Sequence, residues 1–115
     1  IFAVAASQAI GRTIVTGALE LRNKESDRLN SIQKMLEALD GSIKLFEDGF
    51  VIDGSQKLTG GVVKSAGDHR IAMSAAVAAA VATGNTKIND ISCVDTSFPN
   101  FWTTLSEVGL ESSKL

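Results

Sequence analysis

The chain has 115 residues, of which 44% are hydrophobic and 21% are charged, a balance typical of one globular domain with its own core. Such a composition excludes disordered and fibrous proteins. The formal net charge of −2 excludes an overall attraction to nucleic acid or to anionic membranes, so any bound anion needs a local group of cations.

Cysteine content and hydropathy indicate in which compartment of the cell the protein is located. The single cysteine, Cys93, has no second cysteine for an internal disulfide or a zinc site, and we interpret it as a small apolar residue in a reducing compartment. The most apolar stretch, residues 71–82, is shorter than the roughly 20 residues that a membrane-spanning helix needs. We find no secretory signal, and these features favour a cytoplasmic protein.

The first residues, IFAVAASQAIG, are typical of a helix already in progress, and the chain begins at Ile1, so we expect a fragment of a longer protein. In chain order the predicted elements are a helix ending at Gly11, a strand over residues 13–21, a helix from about Asp27 to a left-handed cap at Gly41, a hairpin around Asp48-Gly49 within residues 42–54, a strand over 62–67, a helix from Asp68 to Thr83, a strand over 86–94 and a short helix over 97–109. This order is an α/β alternation.

The pattern is clearest in the second predicted helix and in the hairpin. The apolar residues of that helix recur three and four positions apart, which predicts one buried face, at Leu29, Ile32, Leu36 and Leu39. Either Ser26 or Asp27 is expected to cap the helix. In the hairpin, Asp48 and Gly49 both tolerate positive φ angles. For the last helix, Ser97 is the expected cap and Pro99 lies near the first turn.

Two parts of the sequence, which we call an internal echo, are similar to each other at a shift of 73 residues. Six identities relate residues 3–13 to residues 76–86, among them Gly11 with Gly84 and Thr13 with Thr86. This period is longer than a solenoid repeat and suits a duplicated α/β unit, so we interpret the echo as a structural repeat.

Two predicted helix starts carry cations where the helix dipole favours anions. Arg28 lies in the first turn after Ser26-Asp27, and Arg70 lies in the first turn after Asp68. Each misplaced cation costs about 0.3–1 kcal/mol. If the second helix extends back through the motif, Lys24 and Arg28 also share one face as a like-charge pair.

The sequence leaves two explanations for these cations open. One is a salt-bridged surface, in which Glu25 reaches Arg28, Lys24 reaches Asp27 and the aspartate caps hold nearby arginines. The other is a bound phosphate or carboxylate, which the free N–H groups of a helix start already favour. Both arginines follow an aspartate, and together Arg28 and Arg70 are suited to a ligand with two anionic groups if the two helix ends converge.

Two further residues are candidates for acid–base chemistry. Glu25 lies between Lys24 and Arg28, so beside a bound anion it is a candidate proton donor or acceptor, with an ordinary ion pair as the alternative. His69 beside Arg70 is a candidate third anion contact or proton shuttle, although a lone histidine more often fixes local structure.

These motifs resemble those of a known family. RNKESDRL at residues 22–29 is similar to the R-x-K-E-[ST]-D-R signature of the EPSP synthases (3-phosphoshikimate 1-carboxyvinyltransferases), and DHRIAMSAA at 68–76 is similar to their D-H-R-x-A-M signature. SFPNFW at 97–102 resembles their C-terminal S-F-P-x-F. The resemblance keeps the order and spacing of the signatures and covers essentially the whole chain.

The resemblance implies transfer of an enolpyruvyl group from phosphoenolpyruvate to the 5-hydroxyl of shikimate 3-phosphate, with release of phosphate. By matching position, Arg28 and Arg70 would bind phosphoenolpyruvate, Lys24 would contact shikimate 3-phosphate, and Glu25, with Lys24, would take part in catalysis through proton transfer at the methylene carbon. Thr96 stands where some members carry a lysine that helps hold phosphoenolpyruvate, so that contact is in doubt. No metal or organic cofactor is implied.

The resemblance also implies a fold and a missing partner. The expected fold class is α/β, as part of an inside-out α/β barrel domain built from repeated βαβαββ units with helices packed on mixed sheets. Residues 1–115 would be the C-terminal portion of one transferase domain. The catalytic aspartate of the family would lie a few residues before Ile1, and the N-terminal portion of the same protein would complete the site, so we expect no turnover from this piece alone.

Three alternatives remain. UDP-N-acetylglucosamine enolpyruvyl transferase resembles the family in fold and chemistry but lacks the K-E-S-D-R and D-H-R pair as it stands here. The second alternative is a non-catalytic anion-binding module. The third is a purely structural α/β fragment, in which replacing either arginine by alanine would leave all ligand binding unchanged.

Overall fold

The computed structural model describes residues 1–113 and has the predicted alternation of helices and strands. In chain order the elements are α1 (Phe2–Gln8), β1 (Arg12–Val15), a 3₁₀ helix (Leu19–Asn23), α2 (Arg28–Ala38), β2 (Lys44–Phe46), β3 (Gly49–Asp53), β4 (Val62–Lys64), α3 (His69–Ala79), β5 (Lys87–Asn89), α4 (Ser92–Ser97) and α5 (Phe101–Glu107). None of the helices in this part of the chain has the length and apolar character that crossing a bilayer requires.

The strands form two small sheets. In the first, β1 and β2 both pair antiparallel with β3, and in the second, β4 and β5 pair in parallel. The predicted hairpin is confirmed as β2–β3, in which Phe46 pairs with Gly49. Neither Asp48 nor Gly49 has the positive φ angle that we considered. Glycine is needed at Gly49 because a Cβ would collide with the carbonyl oxygen of Val15 in the neighbouring strand.

The core lies between the first three helices and the two sheets. The predicted buried face of α2 is confirmed at Leu29, Leu36 and Leu39, whereas Ile32 is only half-buried. A smaller cluster packs α4 and α5 against α3, and its buried members are Ala72, Ala76, Val94, Phe101 and Leu105. Helices α2 and α3 also pack against each other, and this contact brings the two charged motifs into one region.

The order of the elements agrees with the internal repeat. A shift of 73 residues carries the 3₁₀ helix onto α4, and it carries the first residue of α2, Arg28, onto the first residue of α5, Phe101. The φ angles of Gly11 and Gly84, which the same shift relates, are 95° and 91°. We therefore call the segment from α1 to α2 the first copy, and the segment from α3 to α5 the second copy.

The strand predicted over residues 13–21 is too long. Strand β1 ends at Val15, and the chain then turns at Gly17, whose φ angle is 69° and whose N–H donates to Asp48 Oδ2 over 3.0 Å. The 3₁₀ helix replaces the rest of the predicted strand, because this turn directs the chain away from the sheet.

The left-handed cap of α2 was predicted at the wrong residue. Asp40 has the positive φ angle, 58°, and Gly41 does not. The N–H of Gly41 instead donates to the carbonyl oxygen of Leu36 over 2.7 Å. A Cβ on Gly41 would come within 3.0 Å of that oxygen and of the Leu58 side chain, so close packing explains the glycine.

Three predictions in the second half also need correction. Helix α3 ends at Ala79 rather than at Thr83. Strand β5 is short because the chain turns at Asp90, which has a φ angle of 59°, and α4 occupies the end of the predicted strand. The last helix begins at Phe101, and Ser97 is the final residue of α4 rather than its cap.

Candidate functional site

The two charged motifs meet at the N-terminal ends of α2 and α3. The predicted aspartate caps are confirmed: Asp27 Oδ1 accepts from the N–H of Asn30 over 3.2 Å, and Asp68 Oδ1 accepts from the N–H of Arg70 over 3.0 Å. Ser26, the alternative cap, instead donates its hydroxyl to Asp68 Oδ2 over 2.8 Å. One side chain of the first motif therefore bonds directly to the second motif.

Asp68 is the centre of this junction. Its carboxylate is fully buried and accepts from Arg28 twice, from Nε over 2.9 Å and from Nη2 over 3.3 Å. With the bonds from Ser26 and from the backbone of Arg70, four donors meet the two oxygens, so the carboxylate is fully satisfied. This ion pair establishes the convergence of the two helix ends, which the sequence left open.

The environment of Asp68 keeps its carboxylate ionised. Burial raises the pKa of Asp68, but the hydrogen bonds from Arg28 and Ser26, the charge of Arg28 and the backbone N–H of Arg70 outweigh it and lower the pKa below its ordinary value of 3.8. The junction is therefore a permanently charged pair at neutral pH.

The guanidinium of Arg28 bonds to two carboxylates and has one nitrogen without a partner among the described residues. Its side chain is only 9% exposed, and Nη2 also donates to Glu25 Oε2. The hydrogen bonds of Arg28 use Nε and Nη2, whereas Nη1 has no partner among residues 1–113. A guanidinium fixed in this way presents its remaining N–H groups to a ligand in one orientation.

Arg70 is exposed, and its guanidinium forms no ion pair or hydrogen bond within the described residues. Its position relative to Arg28 is fixed by Asp68, because the carboxylate that accepts from the side chain of Arg28 also accepts from the backbone N–H of Arg70. The two arginines therefore lie at adjacent helix starts, an arrangement that suits an anion with two charged groups.

The rest of the first motif is arranged differently from the prediction. Lys24 has extended backbone and does not continue α2, so it does not share a helical face with Arg28. Its Nζ lies 3.9 Å from Glu20 Oε2, and Asp27 pairs instead with Arg22 over 3.1 Å. Of the expected surface ion pairs, the one between Glu25 and Arg28 is confirmed, and the one between Lys24 and Asp27 is wrong.

The two secondary candidates lie at the margin. His69 is half-buried at the first position of α3, and its ring forms no hydrogen bond to the described residues. Thr96 is exposed on α4, and its hydroxyl donates to the carbonyl oxygen of Cys93 over 2.9 Å. A groove of about 1140 Å³ along β5 and α5 is lined by neither arginine. Within residues 1–113, no cluster of three or more side chains is arranged to hold a metal ion.

Two functions of the motif residues were missed in the sequence. Asp68 was expected to cap α3 and to hold a nearby arginine, but the arginine that it holds, Arg28, belongs to the other motif. Arg22 was given no role, yet it donates to the carbonyl oxygens of Phe46 and Glu47 over 2.7 Å each and so fastens the β2–β3 hairpin to the cap of α2. An aspartate next to each arginine was the available signal, but the partner of each could come only from the fold.

Comparison with known proteins agrees with these motifs. The sequence model of the family described as EPSP synthase (3-phosphoshikimate 1-carboxyvinyltransferase) matches residues 1–105. Relatives with that enzyme name from Desulforudis audaxviator and Salinibacter ruber are 50% and 49% identical over 111 residues, which is 96% of this chain and 26% of each relative. The chain therefore spans about a quarter of the length of these relatives.

Solved structures give the same result for the fold. An EPSP synthase from Acinetobacter baumannii superposes on 98% of this chain with a TM-score of 0.92 and 38% sequence identity, and the match covers 27% of that protein. The expected α/β fold class is confirmed by this likeness and by the mixed sheets. Because the family model matches nearly the whole chain, and the charged motifs meet as one site, the chain belongs to the EPSP synthase family.

Proposed function

We propose that the protein containing this chain is a transferase that moves the enolpyruvyl group of phosphoenolpyruvate to the 5-hydroxyl of shikimate 3-phosphate and releases phosphate, on the route to chorismate and the aromatic amino acids. One observation carries the proposal: two arginines lie at two helix N-termini that one buried carboxylate joins. Membership of the family and the names of the relatives support it.

Arg28 and Arg70 are assigned to phosphoenolpyruvate. This substrate carries a phosphate and a carboxylate, and each arginine has N–H groups that bond to no other residue among 1–113. The partial positive charges of the two helix starts add to the attraction. Because Arg28 is buried and doubly held, it would orient the substrate, whereas the exposed Arg70 would close on it.

Lys24 and Glu25 are assigned to shikimate 3-phosphate and to proton transfer. In the proposed addition, the 5-hydroxyl oxygen loses its proton and bonds to C2 of phosphoenolpyruvate while a proton is added to the methylene carbon. In the elimination, a proton leaves the same carbon and the bond from C2 to the phosphate oxygen breaks. Glu25 is half-exposed beside Arg28, which places a carboxylate next to the proposed substrate, and fixed cations stabilise the charge that develops.

His69 and Thr96 are assigned secondary roles. His69 has an unbonded ring next to Arg70, so it is suited to a further anion contact. Thr96 provides a hydroxyl that is already bonded to a backbone carbonyl, and it cannot replace the charge of a lysine. We therefore expect any cation at that part of the site to come from elsewhere in the protein.

Residues 1–115 are proposed to be the C-terminal portion of one transferase domain, acting in the cytoplasm with no metal or organic cofactor and with no nucleic acid or membrane as a partner. The remaining partner is the N-terminal portion of the same protein. The exposed Arg70, next to an Arg28 with one nitrogen that has no partner within residues 1–113, is consistent with a site that a second part of the protein completes.

The test is an assay of the full-length protein for phosphate release. We expect release only when phosphoenolpyruvate and shikimate 3-phosphate are both present, and tighter binding of phosphoenolpyruvate once shikimate 3-phosphate is bound. Binding that ignores shikimate 3-phosphate would favour an anion-binding module, and turnover with UDP-N-acetylglucosamine would favour the related transferase. Purified residues 1–115 should show no turnover, and measurable phosphate release from that piece would contradict the expectation that it holds an incomplete site.

A further inference from the structure

The carboxylate of Asp68 serves two motifs that are 40 residues apart in the chain. Oδ1 accepts from the N–H of Arg70 and from Arg28 Nη2, and Oδ2 accepts from Arg28 Nε and from Ser26 Oγ. Each oxygen therefore bonds once to the guanidinium of Arg28, in a two-point contact that fixes the plane of the group as well as its position.

This contact determines which edge of Arg28 is left for a ligand. Nε and Nη2 are turned toward Asp68, so Nη1 is the nitrogen without a partner within residues 1–113. The carboxylate is fully buried and cannot move without breaking the cap of α3. The first turn of α3, which carries Arg70, is thus fixed to the same two oxygens that fix Arg28.

We propose that Asp68 is a positioning residue for phosphoenolpyruvate: it holds the guanidinium of Arg28 in the orientation that receives the substrate and keeps it in register with the helix start that carries Arg70. This inference rests on the proposed function and deepens it, because it gives the second motif a part in binding through Arg28. Asp68 itself does not touch the substrate.

The direction of the change in phosphoenolpyruvate binding distinguishes a positioning role of Asp68 from a role in neutralising the charge of Arg28. A buried carboxylate next to Arg28 reduces the positive charge that an anionic ligand meets. If this were its main effect, Asp68→Asn would strengthen phosphoenolpyruvate binding. If orientation dominates, the same variant weakens binding, although the net positive charge of the site has increased.

The experiment uses the full-length protein with Asp68→Asn, which keeps an N-cap side chain and removes the charge. We expect KM for phosphoenolpyruvate to rise at least about tenfold, the size expected from a lost charge-assisted hydrogen bond, while KM for shikimate 3-phosphate stays near the wild-type value. An unchanged or lower KM for phosphoenolpyruvate, or an equal rise in both constants, would overturn the proposal.

A double-mutant cycle shows whether Asp68 acts through Arg28. In an Arg28→Lys background, where the two-point contact is already lost, Asp68→Asn should change KM for phosphoenolpyruvate by less than about twofold. The same fold-change in both backgrounds would show that the effect does not pass through Arg28.

Asp27→Asn is the matched control, because Asp27 is also an N-cap paired with an arginine, but that arginine is fastened to the hairpin. It should leave KM for phosphoenolpyruvate unchanged. If Asp68→Asn does not fold, Ser26→Ala removes one donor to the same carboxylate and should raise KM for phosphoenolpyruvate by about two- to threefold. No rise with Ser26→Ala would count against the proposal.

Calorimetric titration of phosphoenolpyruvate in the presence of shikimate 3-phosphate measures the contact without turnover. A wild-type protein that binds phosphoenolpyruvate but forms no product would refute the proposed reaction, and the titration of Asp68→Asn would still decide the positioning role. If the wild-type protein is active, and the wild type and Asp68→Asn bind phosphoenolpyruvate with equal affinity, only the positioning role is refuted.

Discussion

The starts of α2 and α5 occupy corresponding positions in the sequence repeat and differ in their chemistry. The 73-residue shift carries Asp27-Arg28 onto Asn100-Phe101, so a charged pair in the first copy corresponds to an amide and an aromatic ring in the second. In the first copy, Arg28 forms a buried ion pair with Asp68. In the second copy, the ring of Phe101 packs edge-on against Trp102, with centroids 5.0 Å apart.

The comparison separates what builds the unit from what gives it a function. Both copies keep a helix, a glycine with positive φ and a strand in the same order, since local backbone and apolar spacing specify these elements. Only a few side chains at one helix start make the difference between an anion site and a hydrophobic cluster. Function therefore lies in the site and not in the repeated unit.

The largest effect on activity is expected at Arg28, and the corresponding residue of the second copy, Phe101, provides the comparison. Arg28→Lys in the full-length protein keeps a positive charge but loses the fixed planar contact with Asp68, so kcat/KM for phosphoenolpyruvate should fall about 100-fold. Phe101→Leu at the corresponding position of the second copy should leave kcat/KM near the wild-type value. Steady-state kinetics of both variants measure this, and equal losses would erase the functional difference between the copies.

For the free energy of unfolding, in contrast to activity, a large effect is expected in the second copy. Phe101→Ala removes a ring that is only 8% exposed in the second hydrophobic cluster, and we expect a loss of about 3–4 kcal/mol in the free energy of unfolding. Urea denaturation of the full-length protein measures this loss in the transition of the domain that contains the chain. A loss below about 1 kcal/mol would mean that the ring does not hold α5 in place.

The ion pair between Arg28 and Asp68 predicts that stability depends on acid. Because the folded-state pKa of Asp68 is lowered, its contribution to stability is fully present above its unfolded pKa, near 3.8, and is lost as pH falls through the lower folded-state pKa. Asp68→Asn should therefore flatten the stability curve of the domain below about pH 4. Thermal unfolding of both proteins between neutral and acidic pH measures the difference, and parallel curves would show that this carboxylate does not contribute to acid sensitivity.

Much of this fold could be predicted from local sequence signals. The aspartate caps at Asp27 and Asp68, the buried face of α2 and the β2–β3 hairpin depend on residues close together in the chain, and each was predicted. Apolar β-branched runs were over-extended into strands, because a turn at Gly17 or Asp90 ends the pairing and the sequence does not show which residue will take a positive φ.

Only part of the candidate site could be predicted from the sequence. The sequence marked Arg28 and Arg70 as cations in the wrong place for a helix start, and the structure joins these two helix starts through Asp68. It could not show that Asp68 bonds to Arg28 across 40 residues, because long-range partners are set by the packing of α2 on α3. The expected pairing of Lys24 with Asp27 failed for a local reason: Arg22 reaches Asp27 from the end of the 3₁₀ helix.

The smallest predicted effect tests the equivalence of the copies at the backbone. Gly11 and Gly84 both have a left-handed φ angle, and a Cβ at either position would meet no atom closer than 3.9 Å. Gly11→Ala and Gly84→Ala should therefore each cost about 1 kcal/mol, from backbone strain alone. Urea denaturation of the full-length variants measures both losses, which we expect to agree within about 0.5 kcal/mol. A clear inequality would mean that the strands that follow, one paired antiparallel and the other parallel, place different demands on the same turn.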